Sequence, residues 1–254
     1  MKQSNPHNYV ASEHEYFDRI AEHAASSSGS YSEKAHAFPR FVPRQSISYF
    51  LARAKVFEAI VGLHGAVLDF GVHRGSSLFA WAQLSAILEP YNHNRRIVGF
   101  DSFEGFSEVE SVDESEQDRE LALKRAGGMA IEEGARELRQ AADIYDLNRP
   151  LGHVGRVEIV DGELPGAAQR YLSDHPETMV ALANFGLGLY SPTTGILESI
   201  RDRLQVGSVL VFEELNQQMW PGETLALRKL FAPSEISLER FPYVPQLSFM
   251  RVRG

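Results

Sequence analysis

Two glycines in a short turn are the first feature whose type and spacing suit ligand binding. The turn runs from Asp69 to Gly75, contains Gly71, and lies between an apolar run and a helical pattern. Glycines at such a bend let the backbone approach a ligand closely, and a helix that begins there adds exposed N–H groups. The turn lacks the third glycine of the full dinucleotide-binding pattern, so a tight structural turn remains the alternative explanation.

An acidic residue follows the next apolar run, in which Val98, Gly99 and Phe100 precede Asp101. An acid at the carboxyl end of a second strand is suited to bind both hydroxyls of a ribose. The alternative is a turn or helix-capping aspartate. Together with the glycine turn one helix earlier, Asp101 predicts a cofactor that contains adenosine.

Two carboxylates, Glu213 and Glu214, follow the most strongly apolar run of the chain, Ser208–Phe212. Enzymes with α/β sheets place their ligands at the carboxyl ends of strands, so a general base is predicted here. Because side chains alternate along a strand, one glutamate is expected to face the site while the other caps the next helix. His73, in the glycine turn, is the other candidate base.

The elements that must position these residues alternate between apolar runs and helical patterns. Continuous apolar runs that alternate with helices indicate a parallel sheet covered on both faces. The last two runs alternate apolar and polar residues around a proline-containing turn, which indicates a closing antiparallel hairpin. The predicted strands are Ala66–Phe70, Arg96–Phe100, Val157–Val160, Met179–Ala183, Ser208–Phe212, Ile236–Phe241 and Gln246–Val252. The predicted helices are Ile47–Ile60 (capped by Ser46), Leu78–Leu88, Thr194–Leu204 and Glu223–Phe231.

Two segments lie outside this alternation. Residues 1–45 are predicted to form an N-terminal extension, or oligomerisation arm, to the main domain, 46–254. The aromatic residues among the first 60 positions need to be covered, and a homo-oligomer is predicted, with packing on the same subunit as the alternative. The stretch Glu104–Glu120 carries eight acids and one base, and a long helical region is expected after it, to about Asp146. A solvated acidic face on a helical insertion is one interpretation, and a lid over the site, at about 107–150, is the other. The aromatic residues concerned are Tyr9, Phe17, Tyr31, Phe38, Phe41 and Tyr49.

Composition limits the classes of function. The chain has 254 residues, no cysteine and a formal net charge of −9. Disulfides, thiolate nucleophiles and cysteine-bound metals are therefore excluded, and an acidic chain is a poor candidate for coating nucleic acid. No apolar run approaches the length of a membrane helix and no signal peptide is recognised, so a cytoplasmic protein is predicted. Arg40, Arg44 and Arg74 are candidates for binding an anionic ligand, with ordinary salt bridges as the alternative.

Six short motifs occur in order along the chain: Pro43–Ser46, Phe70–Leu78, Gly99–Phe106, Leu187–Thr193, Val211–Glu214 and Trp220–Thr224. Together they resemble the macrocin O-methyltransferase family, whose members use S-adenosylmethionine to methylate sugar hydroxyls in antibiotic pathways. The resemblance runs from about Pro39 to Phe231. It implies a class I methyltransferase fold: a seven-stranded, mostly parallel sheet with a C-terminal antiparallel hairpin and helices on both faces. It also implies that S-adenosylhomocysteine is a product.

The resemblance also assigns residues to the cofactor and to the acceptor. The acceptor would be a nucleotide-activated deoxysugar of the TDP-rhamnose type, or a sugar already attached to an antibiotic. Arg44, Asn184 and Tyr190 are expected to bind it. The implied cofactor-binding residues are Asp69, Gly71, Val72, Arg74, Gly75, Ser76, Ser77, Asp101, Ser102, Phe103, Asp161 and Gly162.

The chain departs from its metal-dependent relatives at the ion site. Those relatives have Asp-x-Asp before the Leu-Tyr pair, where this chain has Gly186 and Gly188. Glu213 and Glu214 are the two carboxylates that remain, and Mg²⁺ prefers six oxygen ligands in near-octahedral geometry. A site without metal is favoured, with Mg²⁺ on the two glutamates as the alternative. A relative that binds cofactor without turnover and a nicotinamide-dependent oxidoreductase are the competing functions.

Overall fold

The computed structural model describes residues 11–107, 109–114 and 125–254. The chain divides into two compact units, one ending at Ala52 and the other running from Arg53 to Gly254. The division lies later than the expected boundary at residue 45, within a helix. We describe the two units separately.

The first unit is helical. It contains helices α1 (Ala11–Ser26) and α2 (Tyr31–His36) and most of α3 (Arg44–Glu58). Helix α2 begins with a capping box: Ser30 Oγ accepts from Glu33 N, and Glu33 Oε2 accepts from Ser30 N at 2.7 Å. Helix α3 begins two residues before the predicted cap at Ser46, and its apolar face is rotated from the prediction, so Phe50 is exposed.

The second unit is built on one seven-stranded sheet. The strands are β1 Ala66–Phe70, β2 Ile97–Asp101, β3 Val157–Asp161, β4 Val180–Phe185, β5 Leu204–Phe212, β6 Glu239–Phe241 and β7 Val244–Arg251. Their order in the sheet is β3-β2-β1-β4-β5-β7-β6. Strands β1 to β5 are parallel, and β7 is antiparallel to both of its neighbours. The predicted parallel sheet with a closing hairpin is therefore confirmed.

Helices connect the parallel strands. In the region predicted to be helical up to about Asp146, the described residues 125–133 form turns and a helix begins at Gly134. This helix lies between β2 and β3, so it is a crossover helix. The helix predicted over Thr194–Leu204 begins and ends earlier, because a 3₁₀ turn at Arg201–Arg203 leads into a longer β5. The helices are α4 Ser76–Leu88, α5 Gly134–Asp146, α6 Gly166–Asp174, α7 Tyr190–Ile200 and α8 Gly222–Leu230.

A row of stacked phenylalanines aligns the carboxyl ends of the four central strands. Phe70 pairs in register with Phe100 and Phe185, and Phe185 pairs with Phe212. Their neighbouring rings lie 4.9–5.4 Å apart between centroids, and all four side chains are fully buried. The residue after each phenylalanine therefore lies on the same edge of the sheet, which brings together Asp101, Gly71, Gly186 and Glu213.

No helix among the described residues combines the length and the apolar character needed to cross a membrane.

Candidate active site

The glycine turn after β1 passes close to the connection after β4. Gly71 has a φ of 82°, and a Cβ on it would lie 2.6 Å from the carbonyl oxygen of Gly186. Only glycine fits this crossing. At the other end of the turn, Gly75 (φ 79°) occupies the N-cap of α4 without a side chain to cap it. The first-turn N–H groups of α4, including those of Ser76 and Ser77, have no partner within the helix, so the turn suits a polar ligand.

Asp101 joins the two connections on which the adenosine half of a cofactor would lie. Its Oδ2 accepts from the backbone N of His73 at 2.8 Å, and its Oδ1 accepts from the backbone N of Phe103 at 2.9 Å. His73 and Phe103 both have positive φ, 49° and 57°, which is uncommon outside glycine. A carboxylate has about four lone-pair sites, so two remain in which ribose hydroxyls would fit.

The remaining cofactor residues predicted from the sequence lie around this edge. Gly162 follows β3 and donates its N–H to the carbonyl oxygen of Asp101 at 3.0 Å. Asp161 pairs in register with Asp101 and is exposed. In the glycine turn Arg74 is exposed, whereas Ser77 points into the protein and is buried.

A line of buried polar side chains runs beneath the edge, from β1 to α3. Asn184 lies beside Asp69 in register, and its Nδ2 donates to Asp69 Oδ1 at 2.7 Å and to Glu213 Oε1 at 3.2 Å. Arg53 Nη2 donates to the same Glu213 oxygen at 2.8 Å. Because side chains alternate along strands, Glu213 emerges on the face that carries Asn184, opposite the phenylalanine row. The carboxylate of Glu213 is thus held from two sides.

Arg53 is a site residue that motif analysis missed, although a signal was present. It lies between Phe50 and Phe57 at helical spacing, so it is a charged residue beside an apolar stripe. Its side chain is 5% exposed, and its guanidinium lies 5.9 Å from the centroid of the Trp81 ring. A buried cation needs an anionic partner, and Glu213, whose side chain is 19% exposed, supplies it.

Burial raises the pKa of Asp69 from its ordinary 3.8 to about 7. The hydrogen-bonding side chains of Ser77 and Asn184 oppose this rise in pKa, the negative charge of Glu213 adds to it, and the positive charge of Arg53 opposes it. This carboxyl is therefore partly protonated near neutral pH, where an ordinary aspartate is fully ionised.

The raised pKa of Asp69 has a measurable consequence for stability. The folded protein holds a proton between about pH 4 and pH 7 that the unfolded chain has released, so the free energy of unfolding falls as the pH rises through this window. We expect Asp69→Asn, which mimics the protonated acid, to remove this term. Relative to wild type, the variant should gain about 2 kcal/mol between pH 5 and pH 7. Urea unfolding across this range measures the difference.

A matched control for this measurement is Asp143→Asn, on the exposed side of α5. We expect its profile to run parallel to that of wild type. If the difference between Asp69→Asn and wild type does not change with pH, Asp69 is ionised throughout and the raised pKa is wrong.

Gly186 and Gly188, which stand where metal-dependent relatives have acids, differ in whether the structure has room for a side chain. A Cβ on Gly186 would lie at an ordinary 3.7 Å from Glu213 Cδ. At Gly188, φ is +70° and a Cβ would overlap the ring of Trp220. An acid therefore fits beside Glu213 at the first position, but the backbone at the second position is built for glycine.

A metal ion does not fit the donor set at Glu213. The oxygen that an ion would need already accepts from the Arg53 guanidinium, a cation 2.8 Å away. In the described residues, no group of three or more His, Cys, Asp or Glu side chains is arranged to hold a metal ion. We derive no catalytic step through a metal.

Two further buried carboxylates organise the edge, and neither was singled out from the sequence. Glu223, on α8, accepts three backbone N–H groups from the connections after β4 and β5. Asp113, within the acidic stretch, accepts from the backbone N of Tyr190, the first residue of α7, at 3.0 and 3.1 Å. Asp113 is 1% exposed, so this acid is not part of a solvated face.

The described part of the connection after β2 reaches across the edge. The ring of Phe106 lies 6.0 Å from that of Trp220, which follows β5, and Ser107 Oγ donates to Glu163, which follows β3. With Asp113 at α7, these contacts place residues 106–114, as far as described, over the strand ends. Residues 108 and 115–124 of the predicted lid lie outside the described residues.

The other predicted acceptor residues, Tyr190 and Arg44, each begin a helix. Tyr190 begins α7, and Lys229 Nζ is 5.5 Å from the centroid of its ring. Arg44 is the first residue of α3 and belongs to the first compact unit. Arg40, proposed with it for anion binding, donates to His23 Nε2 at 3.1 Å and lies over the ring of Phe41.

No protein-family model and no curated protein matches the chain. Among solved structures, the chain is similar to the calicheamicin methyltransferase CalS11, with 32% identity, a TM-score of 0.90 and coverage of 96% of this chain and 93% of that one. An apo structure described as the TDP-rhamnose 3'-O-methyltransferase CalS11 matches with 31% identity, a TM-score of 0.81 and coverage of 96% and 95%. The O-methyltransferase NovP, at 19% identity, a TM-score of 0.57 and coverage of 82% and 81%, shows the fold alone.

The sheet order, the antiparallel β7 and the glycine turn that precedes α4 define a class I methyltransferase. With this fold and the match at 32% identity, the nicotinamide-dependent alternative is not supported. The chain belongs to the macrocin O-methyltransferase family, as its sequence motifs indicate, and it is an O-methyltransferase.

Proposed function

We propose that this enzyme transfers a methyl group from S-adenosylmethionine to a hydroxyl of a TDP-activated deoxysugar. The observation that carries the proposal is the alignment of Gly71, Asp101 and Glu213 on one sheet edge, where only β4 lies between the strand that precedes the glycine turn and the strand that precedes Glu213. The acceptor class is supported by the relative described as a TDP-rhamnose 3'-O-methyltransferase. We also propose a cytoplasmic location, since both substrates are intracellular metabolites.

The residues present fit the cofactor. Gly71 has no side chain, so the backbone of the glycine turn can lie directly beside the ligand. The carboxylate of Asp101 can accept hydrogen bonds from two hydroxyls in addition to those it accepts from the backbone. When bound, S-adenosylmethionine supplies an electrophilic methyl group, so the protein's main task is in-line positioning of the acceptor.

Glu213 is the proposed general base. A sugar hydroxyl is a poor nucleophile near neutral pH, and its proton must be taken up as the new O–C bond forms. The carboxylate of Glu213 accepts this proton, while Arg53 and Asn184 keep it oriented through Oε1. The connection after β2, held by Asp113, is proposed to act as a lid that excludes water from the reacting atoms.

The function is tested by incubating the enzyme with S-adenosylmethionine and TDP-rhamnose and following methylated sugar by mass spectrometry. Free rhamnose is the matched control, and we expect turnover with the nucleotide sugar alone. A cofactor-binding relative without turnover would bind S-adenosylhomocysteine and methylate no member of a nucleotide-sugar panel, and that result would contradict the proposal.

A chelator is expected to leave activity unchanged. Gly186 and Gly188 bring no carboxylate, and Arg53 already neutralises Glu213. Turnover should therefore be equal with EDTA and with added Mg²⁺. Loss of activity in EDTA that Mg²⁺ restores would show that Glu213 and Glu214 form a working ion site.

Assembly into a homo-oligomer is a further prediction. Tyr31 is 86% exposed and Phe38 is 52% exposed in the first compact unit, whereas Phe17, Phe41 and Tyr49 are half-buried and Tyr9 lies outside the described residues. Large exposed aromatic surface is stabilised when a second subunit covers it. Light scattering should give a multiple of 28.4 kDa, and a mass that stays at this value across concentrations would contradict the prediction.

A further inference from the structure

A single buried carboxylate, Glu223, ties together the two chain connections that border the proposed active site. Its Oε1 accepts the N–H groups of Leu187 at 3.2 Å and Gly188 at 3.1 Å, and its Oε2 accepts the N–H of Glu214 at 3.0 Å. The residue is fully buried. Leu187 and Gly188 follow β4, and Glu214 follows β5, so one side chain holds the backbone of neighbouring strand ends.

The close packing at the start of α8 places the Glu223 carboxylate between the two connections. Gly222, just before Glu223, has no room for a Cβ, which would contact the backbone of Leu189 and Tyr190 and the carboxylate of Asp113. The next residue, Thr224, accepts the N–H of Asn216 through Oγ1 at 2.8 Å. The first turn of α8 therefore packs against both connections and forms hydrogen bonds with each.

An acid in the first turn of a helix is ordinarily explained by the helix dipole or by capping. A capping carboxylate bonds to the N-terminus of its own helix, as Glu33 does with Ser30 in α2. Glu223 differs, because the N–H groups that it accepts belong to segments outside α8. Its hydrogen bonds thus fix the geometry of the sheet edge.

We infer that Glu223 is a positioning residue for methyl transfer, which acts through the backbone of Glu213 and Glu214. The side chain of Glu213 is held by Arg53 and Asn184, and its own backbone N is held by the carbonyl oxygen of Phe185 at 3.0 Å. Glu223 accepts the N–H of Glu214, which belongs to the peptide group that joins Glu213 to Glu214. This hydrogen bond fixes the direction of the backbone at Glu213, just beyond the end of β5. The inference rests on the proposed function, in which Glu213 is the base.

The test is the variant Glu223→Gln. The amide keeps one acceptor oxygen and replaces the other with a donor. It can therefore accept the N–H groups of the connection after β4 or the N–H group of the connection after β5, but not both. Misplacing reacting groups by about 1 Å costs on the order of 10²-fold in rate. We expect kcat to fall by roughly 10- to 100-fold with both substrates saturating, while the Kd for S-adenosylhomocysteine stays within about two-fold.

Hydrogen exchange and a matched control variant separate positioning from a merely structural role. Hydrogen exchange should show lost amide protection at Leu187, Gly188 and Glu214, in a protein that remains folded. The matched control is Glu235→Gln, an exposed glutamate whose Oε2 also accepts a backbone N–H, from Ala232 at 2.6 Å. We expect this control to keep wild-type kcat and protection.

Glu223→Asp provides the second variant, because it keeps the charge and both acceptor oxygens but is one methylene shorter. A lower kcat with cofactor affinity retained supports the inference, even where Glu223→Gln fails to fold. Wild-type kcat in a folded variant overturns it, and so does a parallel fall of kcat and cofactor affinity. A wild-type enzyme without methyl transfer contradicts the proposed function instead, while hydrogen exchange still reports whether Glu223 holds the two connections.

Discussion

Glu213→Gln should lower turnover by roughly 10²–10⁴, the usual contribution of a general base. Glutamine has the shape of glutamate, and its side-chain oxygen still accepts from Arg53 and Asn184, so the site should keep its form. The amide cannot take up the proton of the acceptor hydroxyl. Cofactor affinity should therefore stay within a few-fold, and the loss should appear in kcat at saturating substrates.

Glu214→Gln is the natural comparison, because it changes the neighbouring glutamate in the same way. Glu214 is 6% exposed. Consecutive side chains of an extended chain point to opposite faces, so we expect Glu214 to point away from Glu213 and its substitution to cause a smaller loss of kcat. In wild type, turnover should fall at acidic pH as the base becomes protonated. If Glu213→Gln keeps full activity, the base lies elsewhere, and His73, whose backbone N is held by Asp101, is the first residue to test.

The central sheet was predictable because its strands are continuously buried. Every residue of β1 and β4 is buried, so both appear in the sequence as apolar runs, each interrupted by one polar residue, Asp69 in β1 and Asn184 in β4. The carboxyl ends of parallel strands lie at the same edge of a sheet, so the ends of β1, β2 and β5 place Gly71, Asp101 and Glu213 on one edge. Tail strand β6 is shorter than predicted, because it ends at Phe241 as expected but begins at Glu239 and not at Ile236.

The contacts that complete the site were harder to predict, because they join residues far apart in the sequence. Arg53 is 160 positions from Glu213, and Asp113 is 77 positions from Tyr190. Each is one charge among many in an acidic chain, and only the fold shows that it is buried. Glu223 lies within a recognised motif, but a motif does not reveal that its carboxylate accepts N–H groups from two other segments.

Asp101→Ala should weaken cofactor binding by about 1.5–3 kcal/mol, or roughly 10- to 150-fold. The expected loss is that of charge-assisted hydrogen bonds to the ribose hydroxyls. Titration calorimetry with S-adenosylhomocysteine measures it. A comparison is Asp161→Ala, the same residue type at the register partner of Asp101 on β3. The family resemblance implies that Asp161 lies on the adenine side of the cofactor, so we expect a smaller effect there. An unchanged Kd in Asp101→Ala would remove Asp101 from the cofactor site.

The structure adds a second reason why Asp101→Ala would weaken binding, and an analogue separates the two. The carboxylate also holds the backbone N–H groups of His73 and Phe103, so its loss frees the glycine turn as well as the ribose. A 2'-deoxyribose analogue of S-adenosylhomocysteine removes one of the hydroxyls without touching the turn. If Asp101 binds the ribose directly, the variant should lose less affinity for the analogue than for the full ligand, as in a double-mutant cycle. Equal losses for both ligands would show that Asp101 acts through the two backbone contacts alone.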